Sequence, residues 1–458
     1  MKAVLISGDR SGCGKTSISL ALSSLLSRRM KVQTFKAGMD YIDPSYLTGV
    51  TGRPCRNLDS FVMSPSEVSQ VFTHGCRGAD FALVEGVRGL FEGAEALTDA
   101  GSTEAIARAL DLPVVLVISA RSITRSAAAI VKGFQAFSPD IRIMGVILNN
   151  VMGTKHADKA TSAIEHYCRI PVIGAIPRME EMELTMRHLG LVPFIERQGS
   201  SEFEQRIERV TGMIEEHVSL DALTSIASDI PDVPGDVPLF REEHVTDTRI
   251  AVARDEAFNF YYSDLFDILP ALGATVVPFS PIRDRLPDAE GYIIGGGYPE
   301  LFLPGLESNA RMREAIREQS GNGVPIYAEC GGLMYLTERI RLMAGWQGYS
   351  QDRVYEMAGV FHGETLMPAR RVVSYVEGES SACSPLGAGN FKGHEFHYSD
   401  VCLAPDTRYA YRLTRGTGIE GMNDGAVTEQ TLGSYTHLHP VPGIAMFRHF
   451  VGRCRTRT

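Results

Sequence analysis

Apolar residues along the first 220 or so positions fall in short continuous runs rather than alternating with polar ones. The runs are AVLIS (3–7), KVQTF (31–35), FALVEG (81–86), PVVLVIS (113–119), IMGVILNN (143–150) and PVIGAIP (171–177). Runs of this length, rich in β-branched residues, suit strands covered on both faces in a parallel sheet. Between them the apolar spacing changes to that of a helix, as in TSISLALSSLLSRR (16–29). The alternation predicts a doubly wound α/β domain over residues 1–227.

The periodicity fades over residues 228–248, SDIPDVPGDVPLFREEHVTDT. Three prolines, a glycine and several acids there predict an interdomain linker. A second α/β series occupies 249–458. It runs through RIAVARD (249–255), ATVVPFS (274–280), EGYIIGGG (290–297) and VPIYAEC (324–330), then a β-rich end through GSYTHLH (433–439). No repeat at a fixed period links the halves.

Composition narrows the class without changing this outline. At 458 residues the chain exceeds one compact core, and its 44% hydrophobic and 22% charged content is that of a soluble globular protein. A formal charge of −10 and the lack of a dense Lys/Arg stripe argue against a nucleic-acid surface. No apolar run approaches the roughly 20 residues that span a bilayer. The opening MKAVLISGDR has no basic region ahead of its apolar run, so no export signal is expected and the cytoplasm is the expected location. The eight cysteines, at 13, 55, 76, 168, 330, 383, 402 and 454, form no CxxC pair. That spacing speaks against a zinc framework and a disulfide scaffold.

Chemistry in the first half concentrates at Gly8-Asp9-Arg10-Ser11-Gly12-Cys13-Gly14-Lys15-Thr16, which follows a strand and opens a helix. It reads as a phosphate loop with its first glycine one residue early and its Gly14-Lys15-Thr16 end intact. Small residues such as Gly12 and Gly14 let backbone N–H groups face phosphate oxygens, and the helix N-terminus adds a favourable dipole. Lys15 would bridge the β- and γ-phosphates of ATP, and the Thr16 hydroxyl would bind Mg²⁺. Glu85, at a strand end in FALVEGVRGLFEG (81–93), is the expected metal partner. Asp59, in CRNLDSF (55–61), is a further metal candidate, while Lys36 and Asp43 in KAGMDYIDPSY (36–46) are substrate candidates. For all three a loop-holding role competes. Asn149, closing IMGVILNN, would read adenine through its amide or simply form a turn. Arg121 and Arg125, in ARSITRSAAA (120–129), either bind anionic groups or dress a helix surface.

In the second half VPIYAECGGLMYL (324–336) predicts a buried strand, a sharp turn at Cys330 and an apolar helix. Such a turn presents a thiol at the end of a sheet, and a helix N-terminus favours its thiolate. Gly331, together with Gly296 and Gly297 from YIIGGGYPELF (292–302), would supply oxyanion N–H groups. His437 in LGSYTHLHP (432–440) is the expected base, with His439 on the same face of an extended stretch. His394, Glu395 and His397 in GHEFHYS (393–399) are open between substrate contact, interface and plain strand.

In their order along the chain, KAGMDYIDPSY, VEGVRGLFEG, ARDEAFNFYY, GGGYPELF, AECGGLMYL, GHEFHYS and SYTHLH resemble the cobyrinate a,c-diamide synthase family of tetrapyrrole amidotransferases. The wording GDRSGCGKTS, GMDYIDPSYLTGVTGRPCRNLD, ARSITRSAAA and MRHLGLVP is most similar to the branch acting on Ni-sirohydrochlorin in methanogens. The resemblance implies a dethiobiotin synthetase-like ATP domain followed by a class I, triad-type glutamine amidotransferase domain. It implies ATP and Mg²⁺, L-glutamine and a tetrapyrrole as partners, two amidations through acyl phosphates, and a homodimer as the assembly considered. Cobyrinate is the alternative substrate, and a P-loop switch ATPase is the alternative of a different class. Two departures stand out. Triad glutaminases usually carry Glu two residues after the His, where this chain has His439, so Cys330 and His437 form a pair without an assigned orienter. Ser119 stands where many relatives carry Asp.

Overall fold

The computed structural model describes residues 1–178, 201–230, 237–241 and 247–456. The MRHLGLVP motif lies outside them, as does part of the stretch expected as a linker. The chain divides into two compact units, Met1–Pro238 and Leu239–Thr458.

In the first unit the apolar runs become β1 (Lys2–Gly8), β2 (Val32–Ala37), β4 (Phe81–Glu85), β5 (Val114–Ser119), β6 (Ile143–Val151) and β7 (Val172–Pro177). Between or after them come α1 (Lys15–Ser27), α2 (Ile42–Thr51), α3 (Pro65–Gly75), α4 (Thr103–Ala109), α5 (Arg125–Phe137), α6 (Thr154–Cys168), α7 (Ser201–His217) and α8 (Leu220–Ile226). The strands pair in parallel in the order β3-β2-β4-β1-β5-β6-β7, with β3 the three-residue strand Arg56–Leu58. β3 carries no apolar run, which is why pattern alone does not predict it. Ser228–Asp229, inside the expected linker, is β8 and pairs antiparallel with β1. Ile18, Leu22 and Leu25 of α1 pack on Val4, Ile6, Leu83 and Val115, so the helix that opens the phosphate loop is fixed by core burial.

Register places the chemistry. Glu85 is the partner of Ile6 on one side and of Lys36 on the other, so the carboxyl ends of β1, β2 and β4 lie side by side. Open α/β sheets bind ligands at such strand ends.

The second unit holds a ten-stranded sheet. Its parallel part comprises β9 (Arg249–Ala253), β10 (Thr275–Phe279), β11 (Gly291–Ile294), β12 (Ile326–Glu329) and β21 (Thr431–Ser434), in the order β10-β9-β11-β12-β21. It continues antiparallel through β20 (Asn423–Thr428), β19 (Arg408–Arg415), β16 (Val372–Ser380), β17 (Gly389–His397) and β22 (His437–Leu438). A separate four-stranded sheet joins β13 (Thr337–Leu342), β14 (Arg353–Glu356), β15 (Phe361–Met367) and β18 (Asp400–Leu403). The helices are α9 (Leu265–Ala271), α10 (Leu303–Ser308), α11 (Ala310–Gly321), α12 (Gly331–Leu336) and α13 (Ile444–Arg455). All six residues of α12 are buried, and Leu333 to Leu336 enter the same core as Ile294, Ile326 and Ala328 of the sheet. Among the described residues no helix is long and apolar enough to cross a membrane.

Candidate active sites

In the first unit the loop between β1 and α1 turns on Gly14 at φ 96°. A side chain there would be strained, and its Cβ would lie 2.2 Å from Nδ2 of Asn149. The Asn149 amide uses that space, donating from Nδ2 to the Cys13 carbonyl at 2.8 Å and accepting from the Asn150 N–H at 2.9 Å.

The residues expected to handle phosphate and metal converge. The Thr16 hydroxyl donates to Glu85 Oε1 at 2.7 Å and lies 3.3 Å from Asp43 Oδ2. Lys36 Nζ reaches Asp43 Oδ2 at 2.5 Å and Glu85 Oε1 at 2.7 Å, and Lys15 Nζ lies 3.8 Å from the same Glu85 oxygen. Two ammonium groups thus face two carboxylates at the strand ends. Burial works to lower the Lys36 ammonium, but Asp43 and Glu85 outweigh it and hold it above its ordinary value. Burial works to raise Asp43, and Lys36 outweighs it, leaving that carboxyl below its ordinary value. Asp40, which the sequence reading passed over, lies just before α2 and accepts from the Ile42 and Asp43 N–H groups. Burial, and then the nearby Asp43 charge, push it up to about 6.

Asp59 is buried, and its carboxylate accepts from the Phe61 N–H at 2.7 Å, a contact that holds its own loop. Arg121 and Arg125 are exposed, and Arg125 lies over the Tyr167 ring at 5.1 Å. Ser119, register partner of Asn149, accepts from the Asn150 amide at 3.3 Å. The donors around Thr16 suit a hard divalent cation: a hydroxyl and two carboxylates, with Glu85 Oε2 fully buried and lacking a hydrogen-bond partner. No group of three or more His, Cys, Asp or Glu among the described residues would hold a metal unaided. Mg²⁺ is commonly held by one or two carboxylates together with substrate phosphates, which fits this donor set.

In the second unit Cys330 sits between β12 and α12 at φ 47° and ψ −100°, a turn that side chains rarely adopt. Its N–H donates to the Ser434 carbonyl at 2.7 Å, and its thiol lies 3.5 Å from the Phe396 carbonyl. His437, partner of His394 across β17 and β22, lies beside that thiol, which raises its proton affinity. A Cβ on Gly296 would lie 2.5 Å from His437 Cε1, so glycine makes room for the ring. A Cβ on Gly331 would meet the Gly297 N and O at 3.1 and 3.2 Å, so the two glycine-rich turns touch beside the thiol.

The neighbours of His437 separate the residues that sequence left open. His394 stacks on it with centroids 4.9 Å apart, and burial, then the His437 and His439 charges, hold His394 well below its ordinary value. Glu395 instead ties down the Gly418 N–H at 3.0 Å and that of Thr417. His397 stacks on Tyr435 at 3.6 Å and faces the Ser399 carbonyl at 2.9 Å, and burial pushes it down to about 4. His439 is fully buried with its Nε2 3.6 Å from Asp264 Oδ2. The residue that sequence reasoning missed is Glu329. Its Oε2 lies 3.4 Å from His437 Nδ1, while Oε1 accepts from the Leu438 N–H at 2.9 Å and from the Tyr327 hydroxyl. Burial works to lower His437, but the thiol and Glu329 prevail and push it up to about 10.

Two family models match the chain. Residues 4–192 match the CobQ/CobB/MinD/ParA nucleotide binding domain, and residues 249–442 match the CobB/CobQ-like glutamine amidotransferase domain. Over 458 aligned residues the chain is 49% identical to a cobyrinate a,c-diamide synthase of Methanosarcina acetivorans, covering 96% of this chain and 92% of that protein. It is 43% identical to the protein of the same name from Methanothermobacter thermautotrophicus, covering 95% of this chain and 96% of that one. The protein of that name from Archaeoglobus fulgidus is 38% identical, over 98% of this chain and 96% of its own length.

Proposed function

The chain belongs to the cobyrinate a,c-diamide synthase family, and from that premise we propose that it amidates the a and c acetate side chains of a tetrapyrrole. It is a glutamine-dependent amide-forming ligase with a nucleotide-binding domain. The observation that carries the substrate chemistry is the convergence of Lys15, Thr16, Lys36, Asp43 and Glu85 at one set of strand ends. A site with two cations and two carboxylates suits ATP beside a carboxylate acceptor.

In this reading the loop amides around Gly12 and Gly14, with Lys15, hold the triphosphate of ATP. Lys36 draws the acetate carboxylate towards the γ-phosphorus. The carboxylate oxygen takes the phosphoryl group, ADP leaves, ammonia attacks the acyl phosphate, and phosphate departs as the amide forms. Thr16 and Glu85 would hold Mg²⁺, which supplies neutralisation of the phosphate charge. The ammonia comes from glutamine at Cys330. Sulfur attacks the side-chain carbonyl with its proton already held on His437, and His437 gives that proton to the leaving nitrogen. Water then cleaves the thioester to glutamate. Gly297 and Gly331 backbone N–H groups, with Gly296 beside them, are the proposed oxyanion donors.

The names of the relatives support cobyrinate as the macrocycle, while the wording of GDRSGCGKTS and ARSITRSAAA supports Ni-sirohydrochlorin. A substrate panel separates them: cobyrinate, sirohydrochlorin and Ni-sirohydrochlorin, each with ATP, Mg²⁺ and glutamine, read by product mass. Cobyrinate is expected to give the diamide. Preferential conversion of Ni-sirohydrochlorin would favour the second reading, and conversion of none would sink both.

A further inference from the structure

Resting on the reading of Cys330 as the nucleophile, we propose that Glu329 is the third member of the glutaminase site, a positioning residue that orients His437 through Nδ1. The position two residues after the base, where triad glutaminases usually carry Glu, holds His439. Its Nε2 lies 3.6 Å from Asp264 Oδ2, with both side chains fully buried. Glu329, from the end of β12, brings Oε2 to 3.4 Å from His437 Nδ1.

Glu329 is not a loose carboxylate. Its side chain is about nine-tenths buried, and Oε1 is fixed by the Leu438 N–H and the Tyr327 hydroxyl. Tyr327 and Glu329 are two apart on β12 and so share a face of the strand, which lets the hydroxyl support the carboxylate. Leu438 follows the base directly, so the same backbone that carries the imidazole also holds its partner. Parallel pairing of Glu329 with Ser434 brings the strand end beside the segment leading to His437.

The consequence is a defined ring orientation. With Nδ1 facing Glu329 Oε2 at 3.4 Å, Nε2 is the ring atom that holds the proton towards the thiol. While sulfur attacks the glutamine carbonyl, the Glu329 carboxylate stabilises the imidazolium without accepting its proton. Burial works to lower the proton affinity of His437, and the thiol and Glu329 beside it raise it.

The test uses the full chain with Glu329→Gln, Glu329→Asp and Cys330→Ala, each assayed with glutamine and with ammonium as nitrogen donor. Glu329→Gln is expected to lower glutamine-dependent kcat on the order of 10²- to 10⁴-fold, with ammonium-dependent amidation unchanged. The alkaline limb of its glutaminase kcat/KM profile should move down by about 1 to 3 pH units as the imidazolium loses its partner. Glu329→Asp should recover part of the rate and of the profile. A wild-type rate for Glu329→Gln, or a lowered rate with an unmoved pH profile, overturns the assignment. Retained glutamine-dependent turnover in Cys330→Ala would instead overturn the nucleophile reading on which it rests.

Discussion

Cys330 keeps its thiol in place at the expense of an unfavourable backbone, φ 47° with ψ −100°. A conformation of this kind costs on the order of 1–3 kcal/mol for a residue with a Cβ. Replacing Cys330 with Gly should therefore give a protein about 1 kcal/mol more stable than the Cys330→Ala variant, measured by urea unfolding; equal midpoints would mean the turn is unstrained. His437 makes a second prediction at this scale. Its pKa in the folded protein, about 10, lies above the ordinary value of 6.5. A raised histidine contributes stability that is fully present below the unfolded value and is lost as pH rises through the folded one. Wild-type stability should accordingly fall between about pH 6.5 and 10, and fall less in Cys330→Ala, where one of the two groups holding the proton is gone. Parallel curves from chemical denaturation at several pH values would refute this.

Among the elements, the phosphate loop depends on β6 as much as on its own glycines. Asn149 enters the space a Gly14 side chain would fill and holds the Cys13 carbonyl at 2.8 Å. A hydrogen bond of this kind contributes about 0.5–1.5 kcal/mol, so Asn149→Ala should weaken ATP binding by about 2- to 10-fold in calorimetric titration. Gly14→Ala, placed at φ 96° and 2.2 Å from the amide, should abolish it. How far these elements can be read from sequence depends on where their information lies. The strands of the first unit are legible because each is a continuous apolar run, and Lys15, Thr16 and Cys330 because strand, turn and helix follow one another locally. The bond from Asn149 to Cys13 spans 136 positions, and no local pattern carries it. Glu329 is hidden differently: it directly precedes Cys330, so it reads as the last residue of a strand. Only the pairing of β12 with β21 and the fold of the His437 segment give it a partner.

At the scale of the whole molecule, the two chemistries sit in separate units with separate cores. Damage to one site should leave the other intact. Lys15→Ala is expected to lose ATP-dependent amidation with either nitrogen donor, while Cys330 still reacts with a chloroketone analogue of glutamine at the wild-type rate. A Lys15→Ala protein with a slowed thiol reaction would show that the phosphate site also governs the thiol site.

In the proposed site the thiol and its adjacent carboxylate are consecutive residues, Cys330 and Glu329, with His437 arriving on another segment. In a triad glutaminase with Glu two residues after the His, the carboxylate travels with the base instead. The two layouts are therefore not interchangeable as modules. Grafting the usual His segment onto this elbow would surround one imidazole with two carboxylates, and grafting this His segment onto the usual elbow would leave it with none.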